Sequence, residues 1–264
     1  MQQFTATVSG HREVAPNLVR VNLTAPPRML RGAAAGQFVF VRASSADSHE
    51  PYLRRPYSLA AFDEEAGTLA LLVRVVGRGS RWIAERVEGE ELDVLGPLGS
   101  GFKLDERTRH LLVVIGGERQ SHLAPVLQLL APAAAREVTI TMLIEADTAT
   151  NLPPPSLLPP EVEYQTATRD GSAGHRGSAL DFAKNLLPWA DQVLAAGDDA
   201  FLARLKQLCA KLYPLPKVQA AVERNMACGV GVCLGCAVEV QGVGYLRACV
   251  EGPVFDLDRL ALLS

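Results

Sequence analysis

Short runs of alternating apolar and polar residues fill the first hundred positions. Phe4–Val8, Leu18–Leu23, Gln37–Val41, Tyr57–Ala61, Thr68–Val75 and Glu91–Leu95 each read as a strand. Ala25-Pro26-Pro27, Asp63–Gly67, Gly89 and Gly96-Pro97 mark turns between them. That spacing predicts an antiparallel barrel or sandwich. One helix interrupts it over Ser80–Arg86, with Ser80 as its cap and Trp82, Ile83 and Val87 at helical spacing.

The rhythm changes near Phe102. Apolar runs at His110–Ile115, Val138–Ile144, Val162–Thr166 and Gln192–Ala196 alternate with helical patterns over Leu123–Leu130, Ser178–Leu187 and Ala200–Leu212. A strand apolar on both sides is covered on both faces, which predicts a parallel α/β sheet. The proline-rich stretch 151–160 predicts a stiff connecting loop. A third piece begins near Asn225 and carries short strands at Val238–Val240 and Gly244–Arg247. The fold class is thus multidomain β plus α/β, divided as 1–101, 102–223 and 224–264.

Charge narrows the function classes. Against 26 Lys+Arg stand 29 Asp+Glu, a net charge of −3, so no basic nucleic-acid face is expected. With 48% apolar and 21% charged residues the chain is not disordered. No apolar stretch approaches the ~18 residues of a membrane span. The polar start MQQFTATVSGHREV lacks a secretory pattern, so a soluble cytoplasmic protein is expected.

Four of the five cysteines fall in one window, as Cys228-x4-Cys233-x2-Cys236-x12-Cys249. This is the plant-type [2Fe–2S] spacing: three thiolates from one loop, the fourth from another segment. Gly229, Gly231 and Gly235 interleave the loop, so its N–H groups can approach the sulfurs. A zinc site, which favours short ligand pairs, is the alternative. Cys209 lies on the apolar stripe of a predicted helix with Leu205 and Leu212, and reads as a core residue.

Two further features suit a flavin dinucleotide. Arg55-Pro56-Tyr57-Ser58 begins a strand with a phosphate partner, a ring to stack and a hydroxyl donor. Val73-Arg74-Val75 is followed by Gly77-Arg78-Gly79-Ser80, a glycine turn opening a helix, whose free N–H groups suit a pyrophosphate. The five histidines form no close pair, so nothing points to hydrolysis.

With these features the chain resembles the ferredoxin–NADP reductase superfamily, and within it the electron-transfer subunits of type B dihydroorotate dehydrogenase. The carriers are Gly36–Val39, Arg55–Ser58, Val76–Ser80, Gly96–Phe102, Asp170–Gly177 and the segment from Met226 through Cys249 to Phe255. The resemblance implies a flavin-binding barrel, a nucleotide-binding-like α/β domain and a C-terminal [2Fe–2S] domain. It implies FAD held at Arg55, Pro56, Tyr57, Ser58, Leu72, Val73, Arg74, Gly79 and Ser80, and the cluster on Cys228, Cys233, Cys236 and Cys249. It implies a partner subunit holding FMN and the dihydroorotate site, in a heterotetramer of two of each, working in pyrimidine biosynthesis. Electrons would pass from that FMN to NAD or another acceptor.

The chain departs from the family at the NAD site. The family's run of three glycines reads here Gly116-Gly117-Glu118-Arg119-Gln120-Ser121-His122, and its Cys-Gly-Pro reads Ala196-Gly197-Asp198. Carboxylates near a pyrophosphate predict weak NAD(H) use, with Arg119 or His122 as partial compensation. Two other readings stand beside this one. A reductase subunit could serve an oxygenase, hydrogenase or ferredoxin-type acceptor, or the chain could be a degenerate, non-catalytic subunit.

Overall fold

The computed structural model describes residues 2–262 except 46, 118, 119 and 215. Its first part is a closed antiparallel barrel of β1 (Gln2–Ala15), β2 (Leu18–Thr24), β3 (Phe38–Val41), β4 (Arg55–Asp63), β5 (Thr68–Arg74) and β6 (Glu91–Leu98). The order around it is β1-β2-β5-β4-β3-β6. Closure leaves no strand edge exposed. Alternation drives it: on β1, Phe4, Ala6 and Val8 point inward and are buried, and their neighbours face water. β3 is buried on both faces, Val39 and Val41 inside the barrel and Phe38 and Phe40 against the rest of the molecule.

Helix α1 (Arg78–Ala84) follows β5. It starts earlier than the sequence suggests, because Gly77 rather than Ser80 is the cap. The Ser80 Oγ reaches back instead, accepting the N–H groups of Val76 at 2.9 Å and Gly77 at 3.1 Å and donating to the Gly77 carbonyl.

The second part is a sheet of β7 (His110–Ile115), β8 (Thr139–Ala146), β9 (Val162–Thr168), β10 (His175–Arg176), β11 (Gln192–Gly197) and β12 (Lys217–Val222). Helices α2 (Ala124–Ala135), α3 (Ala179–Leu186) and α4 (Asp199–Cys209) cover it. Leu111, Val113 and Ile115 of β7 pack in the layer with α2, and Leu112 and Val114 in the layer with α3 and α4. That two-sided cover is why these runs are apolar throughout. The strand order β10-β9-β8-β7-β11-β12 reverses direction between β7 and β11. A crevice at the carboxyl ends of those two strands is where such sheets bind ligands.

The third part carries the hairpin β13 (Ala237–Val240) and β14 (Gly244–Arg247). The chain then returns as β15 (Val254–Asp256), antiparallel to β12 at the sheet's edge. Neither β12 nor β15 is expected from the sequence pattern. The return runs beside the barrel: the Ser100 N–H donates to the Gly252 carbonyl, and Ser100 bridges Pro253. Gln128 of α2 ties the parts together, its amide pairing with both the N–H and the carbonyl of Phe62 on β4 at 2.9 Å.

Candidate flavin and cluster site

A cavity of about 720 Å³ opens between the barrel, the carboxyl edge of the sheet and the cysteine segment. Its barrel wall contains Arg55, Pro56, Tyr57, Ser58, Leu72, Arg74, Gly79 and Ser80. The two sequence signals meet here. A Cβ added to Gly79 would stand 3.5 Å from the Arg55 Nε and 3.2 Å from the Ala43 Cβ, so the helix start and the arginine share one cradle. Arg55 is anchored by donating to the Leu53 carbonyl at 2.7 Å. Tyr57 is half-buried; burial pushes its hydroxyl pKa up, against the opposing charge of Arg55, so it stays neutral. Val73 stands apart from this wall. Its side chain is fully buried in the barrel core, and it does not line the cavity as Leu72 and Arg74 do.

The opposite wall was not legible in the sequence. It consists of His122, Pro125, Ala196, the stretch 221–227 at and beyond the end of β12, Gly235 and Pro253. These residues come from segments far apart in the chain, and only the assembled sheet brings them together. An elongated cavity with a cationic, glycine-lined helix start at one side and a neutral aromatic nearby fits a flavin dinucleotide.

The cysteine loop lies directly against this cavity. Ala227 and Gly235, each one residue from a cysteine, line it. Gly229 packs on the Phe40 ring of β3, where an added Cβ would come within 2.6 Å of a ring carbon. Gly229 and Gly231 have φ of +70° and +79°, the left-handed backbone that glycine adopts without strain. That winding turns the N–H groups of Cys233 and Val230 toward the Cys228 sulfur and pulls its pKa down to about 6. Burial pushes Cys249 the other way, to about 12, with a hydrogen bond that its thiol donates to Cys236 adding to it.

The four thiols fall into two pairs. Cys228 and Cys233 are within hydrogen-bonding reach of each other, as are Cys236 and Cys249. Among the described residues, no three His, Cys, Asp or Glu side chains converge as they would around one metal ion. Two ligand pairs suit a binuclear cluster, one pair for each iron. Cys209 is on another element, buried at the end of α4, where burial pushes its pKa to about 11.

The sheet's switch point is lined with carboxylates. Glu145 at the end of β8 accepts the Gly117 N–H at 3.2 Å, the Ser178 hydroxyl at 2.6 Å and the Ala179 N–H at 2.9 Å. Asp198 caps α4 by accepting the Phe201 N–H at 2.9 Å. Glu118 and Arg119 lie outside the described residues. His122 is buried, with Nδ1 2.8 Å from the Gly116 carbonyl and Nε2 2.9 Å from the Glu223 carboxylate. Both ring nitrogens thus have protein partners, and His122 does not present itself to a phosphate as the sequence suggests. Arg224, the next residue, pairs with Asp199 at 2.7 Å.

Two family models match the chain. The "Oxidoreductase FAD-binding domain" covers residues 5–103 and the "Iron-sulfur cluster binding domain of dihydroorotate dehydrogenase B" covers 223–261. A dihydroorotate dehydrogenase B (NAD(+)) electron transfer subunit from Desulforamulus reducens is 33% identical over 96% of this chain and 95% of its own. The Geobacillus protein of that name is 32% identical over 99% of this chain and 100% of its own. Among solved structures, a chain of the NADH-dependent reduced ferredoxin-NADP oxidoreductase superposes with a TM-score of 0.83 at 23% identity, over 97% of this chain and 90% of that one. Phthalate dioxygenase reductase superposes with a TM-score of 0.66 at 15% identity, over 99% and 96%.

Proposed function

The chain belongs to the family of dihydroorotate dehydrogenase B electron transfer subunits, and we propose how its own residues divide that work. It is an oxidoreductase subunit that carries FAD and a [2Fe–2S] cluster and passes electrons between a catalytic partner and an acceptor. When bound, FAD exchanges electron pairs for single electrons and the cluster moves them singly.

The chain's residues do the positioning. Arg55 meets a flavin phosphate beside the free N–H groups of the α1 start. Tyr57 and Ser58 contact the ring, one by its face and one by its hydroxyl. Leu72, Arg74, Gly79 and Ser80 complete that wall. Cys228, Cys233, Cys236 and Cys249 would hold the cluster, which would carry electrons singly. The observation that carries this reading is the shared cavity: the flavin wall and the residues flanking Cys228 and Cys236 line one space.

The partner side is the exposed face of the cysteine loop and hairpin. Val232 is 79% exposed, Leu234 62% and Tyr245 73%, with Val230, Val243 and Val250 around them. An apolar group of this kind beside a redox centre suits a permanent subunit interface. We assign it to a catalytic subunit that holds FMN and oxidises dihydroorotate, in an assembly of two copies of each chain. Among the described residues, no helix is long and apolar enough to cross a membrane.

The test is anaerobic mixing of the purified complex with dihydroorotate, following the FAD absorbance. The FAD should bleach in the wild type and stay oxidised in Cys233→Ser. Bleaching at an unchanged rate in that variant overturns the route through the cluster.

A further inference from the structure

Arg247, the last residue of β14, touches both segments that supply cysteines. Its Nη1 donates to the Gly231 carbonyl at 3.3 Å, inside the loop between Cys228 and Cys233. Its Nε donates to Glu251 Oε2 at 3.1 Å and its Nη2 to Glu251 Oε1. The same Oε2 accepts the Arg247 backbone N–H at 2.7 Å. In return the Arg247 carbonyl accepts the N–H groups of Val250, Glu251 and Gly252 at 3.0, 2.9 and 3.3 Å. Cys249 is thus enclosed in a turn that Arg247 and Glu251 close from both ends.

The fit extends to the loop. A Cβ at Gly231 would stand 3.0 Å from the Arg247 Nη1 and 2.8 Å from a Val250 methyl. The guanidinium is paired with the Glu251 carboxylate. Cys249, two residues from Arg247, thus lies in the turn the pair closes, and the same guanidinium reaches the loop between Cys228 and Cys233.

A surface ion pair of this exposure contributes little to stability on its own. Its position matters more. One-electron reduction adds a negative charge to a centre already held by four thiolates. A nearby cation favours that reduced form, and a nearby carboxylate opposes it. Charges and hydrogen bonds around the sulfurs are the levers that set such potentials.

We propose that Arg247 and Glu251 form a positioning and tuning pair for the cluster. The guanidinium ties the Cys228–Cys233 loop to the Cys249 turn and raises the reduction potential, and the Glu251 carboxylate limits that rise. The proposal rests on the four cysteines being the cluster ligands.

The test is a redox titration of the cluster's EPR signal in the full complex, with iron and sulfide assayed in every sample. In Arg247→Gln the ratio of reduced to oxidised cluster at a fixed ambient potential should fall roughly tenfold, about 59 mV for a one-electron couple. In Glu251→Gln it should rise, because the cation loses its counter-charge. Arg247→Lys should keep the potential near wild type but lose iron faster to a chelator, since an ammonium cannot make both contacts. Opposite shifts in the first two variants support the proposal, because a purely structural role gives none or the same sign. Shifts of the same sign, or none beyond threefold at full iron content, overturn it. Should Arg247→Gln lose its iron, Glu251→Gln decides alone: a rise supports the pair, and no rise overturns it. Cys233→Ser is assayed alongside. Iron retained there means the ligand assignment has failed, whereas iron lost there with an unmoved Glu251→Gln potential means only the tuning has failed.

Discussion

Cys209 and Cys233 place the same thiol in opposite settings. Cys209 is 4% exposed and sits among Leu205 and Leu202 of α4, whereas Cys233 stands at the surface of a glycine-wound loop. Cys233→Ser should remove the cluster's visible and EPR signals while FAD remains, since the flavin wall is on other elements. Cys209→Ser should leave iron content unchanged. Equal iron in the wild type and Cys233→Ser would reverse the assignment. Arg55→Ala tests the flavin wall. Losing a charged hydrogen bond to phosphate should weaken FAD by about 1.5–3 kcal/mol, roughly ten- to a hundredfold in Kd, measured by titrating the deflavinated protein. An unchanged Kd would place the phosphate elsewhere. Residues with local chemistry were readable at this scale, because spacing alone groups the cysteines and Arg55–Ser58 are consecutive. Val73 was assigned to the flavin wall, but the alternation of β5 turns its side chain into the barrel. The sequence offers His122 as a phosphate partner, and its contacts with the Gly116 carbonyl and Glu223 are not visible until β12 delivers Glu223 beside it.

At the scale of elements, the cleft depends on how α2 docks on β4. Gln128 is the chief polar link, satisfying a main-chain N–H and a carbonyl that otherwise lie in the contact. Gln128→Leu should cost about 1–3 kcal/mol by leaving both groups unpaired, seen as a lower urea midpoint. FAD content should fall with it, since the cleft lies between those parts. A variant as stable as the wild type would mean that apolar packing alone sets the docking. The strands most visible in the sequence are those whose partners are near in sequence or whose faces are uniform, such as β1 with β2 and the apolar β7. Two escaped. β12 is Lys-Val-Gln-Ala-Ala-Val, with a polar Gln219 at its middle that is used to bind the Lys103 N–H of the distant linker. β15 is three residues long and exists only because β12 offers it an edge. Pairing across long sequence separation leaves no periodic trace in either segment.

For the whole molecule, the question is where electrons leave. The crevice between β7 and β11 would receive a dinucleotide in this fold, with its pyrophosphate on backbone N–H groups. Here the chain's own carboxylates hold those donors: Glu145 takes the N–H groups of Gly117 and Ala179, and Asp198 takes that of Phe201. The glycines are also used internally. Gly116 and Gly197 make room for the Phe201 ring, and Gly117 for the Asp198 carboxylate. A dianionic pyrophosphate would have to displace carboxylates of its own sign. Two unit charges about 4 Å apart interact by about 1–4 kcal/mol between bulk water and a protein surface, a loss of roughly five- to several-hundredfold in affinity. We therefore expect slow reduction of the bound FAD by NADH, saturating only far above micromolar concentrations. Glu145→Gln keeps the shape of the site and removes one charge, so it should lower the NADH concentration for half-maximal reduction severalfold. Asp198→Asn should do the same while still capping α4. Stopped-flow reduction of the three proteins by NADH decides. Fast reduction of the wild type at micromolar NADH, with no gain in either variant, would show that these carboxylates lie clear of the dinucleotide's path.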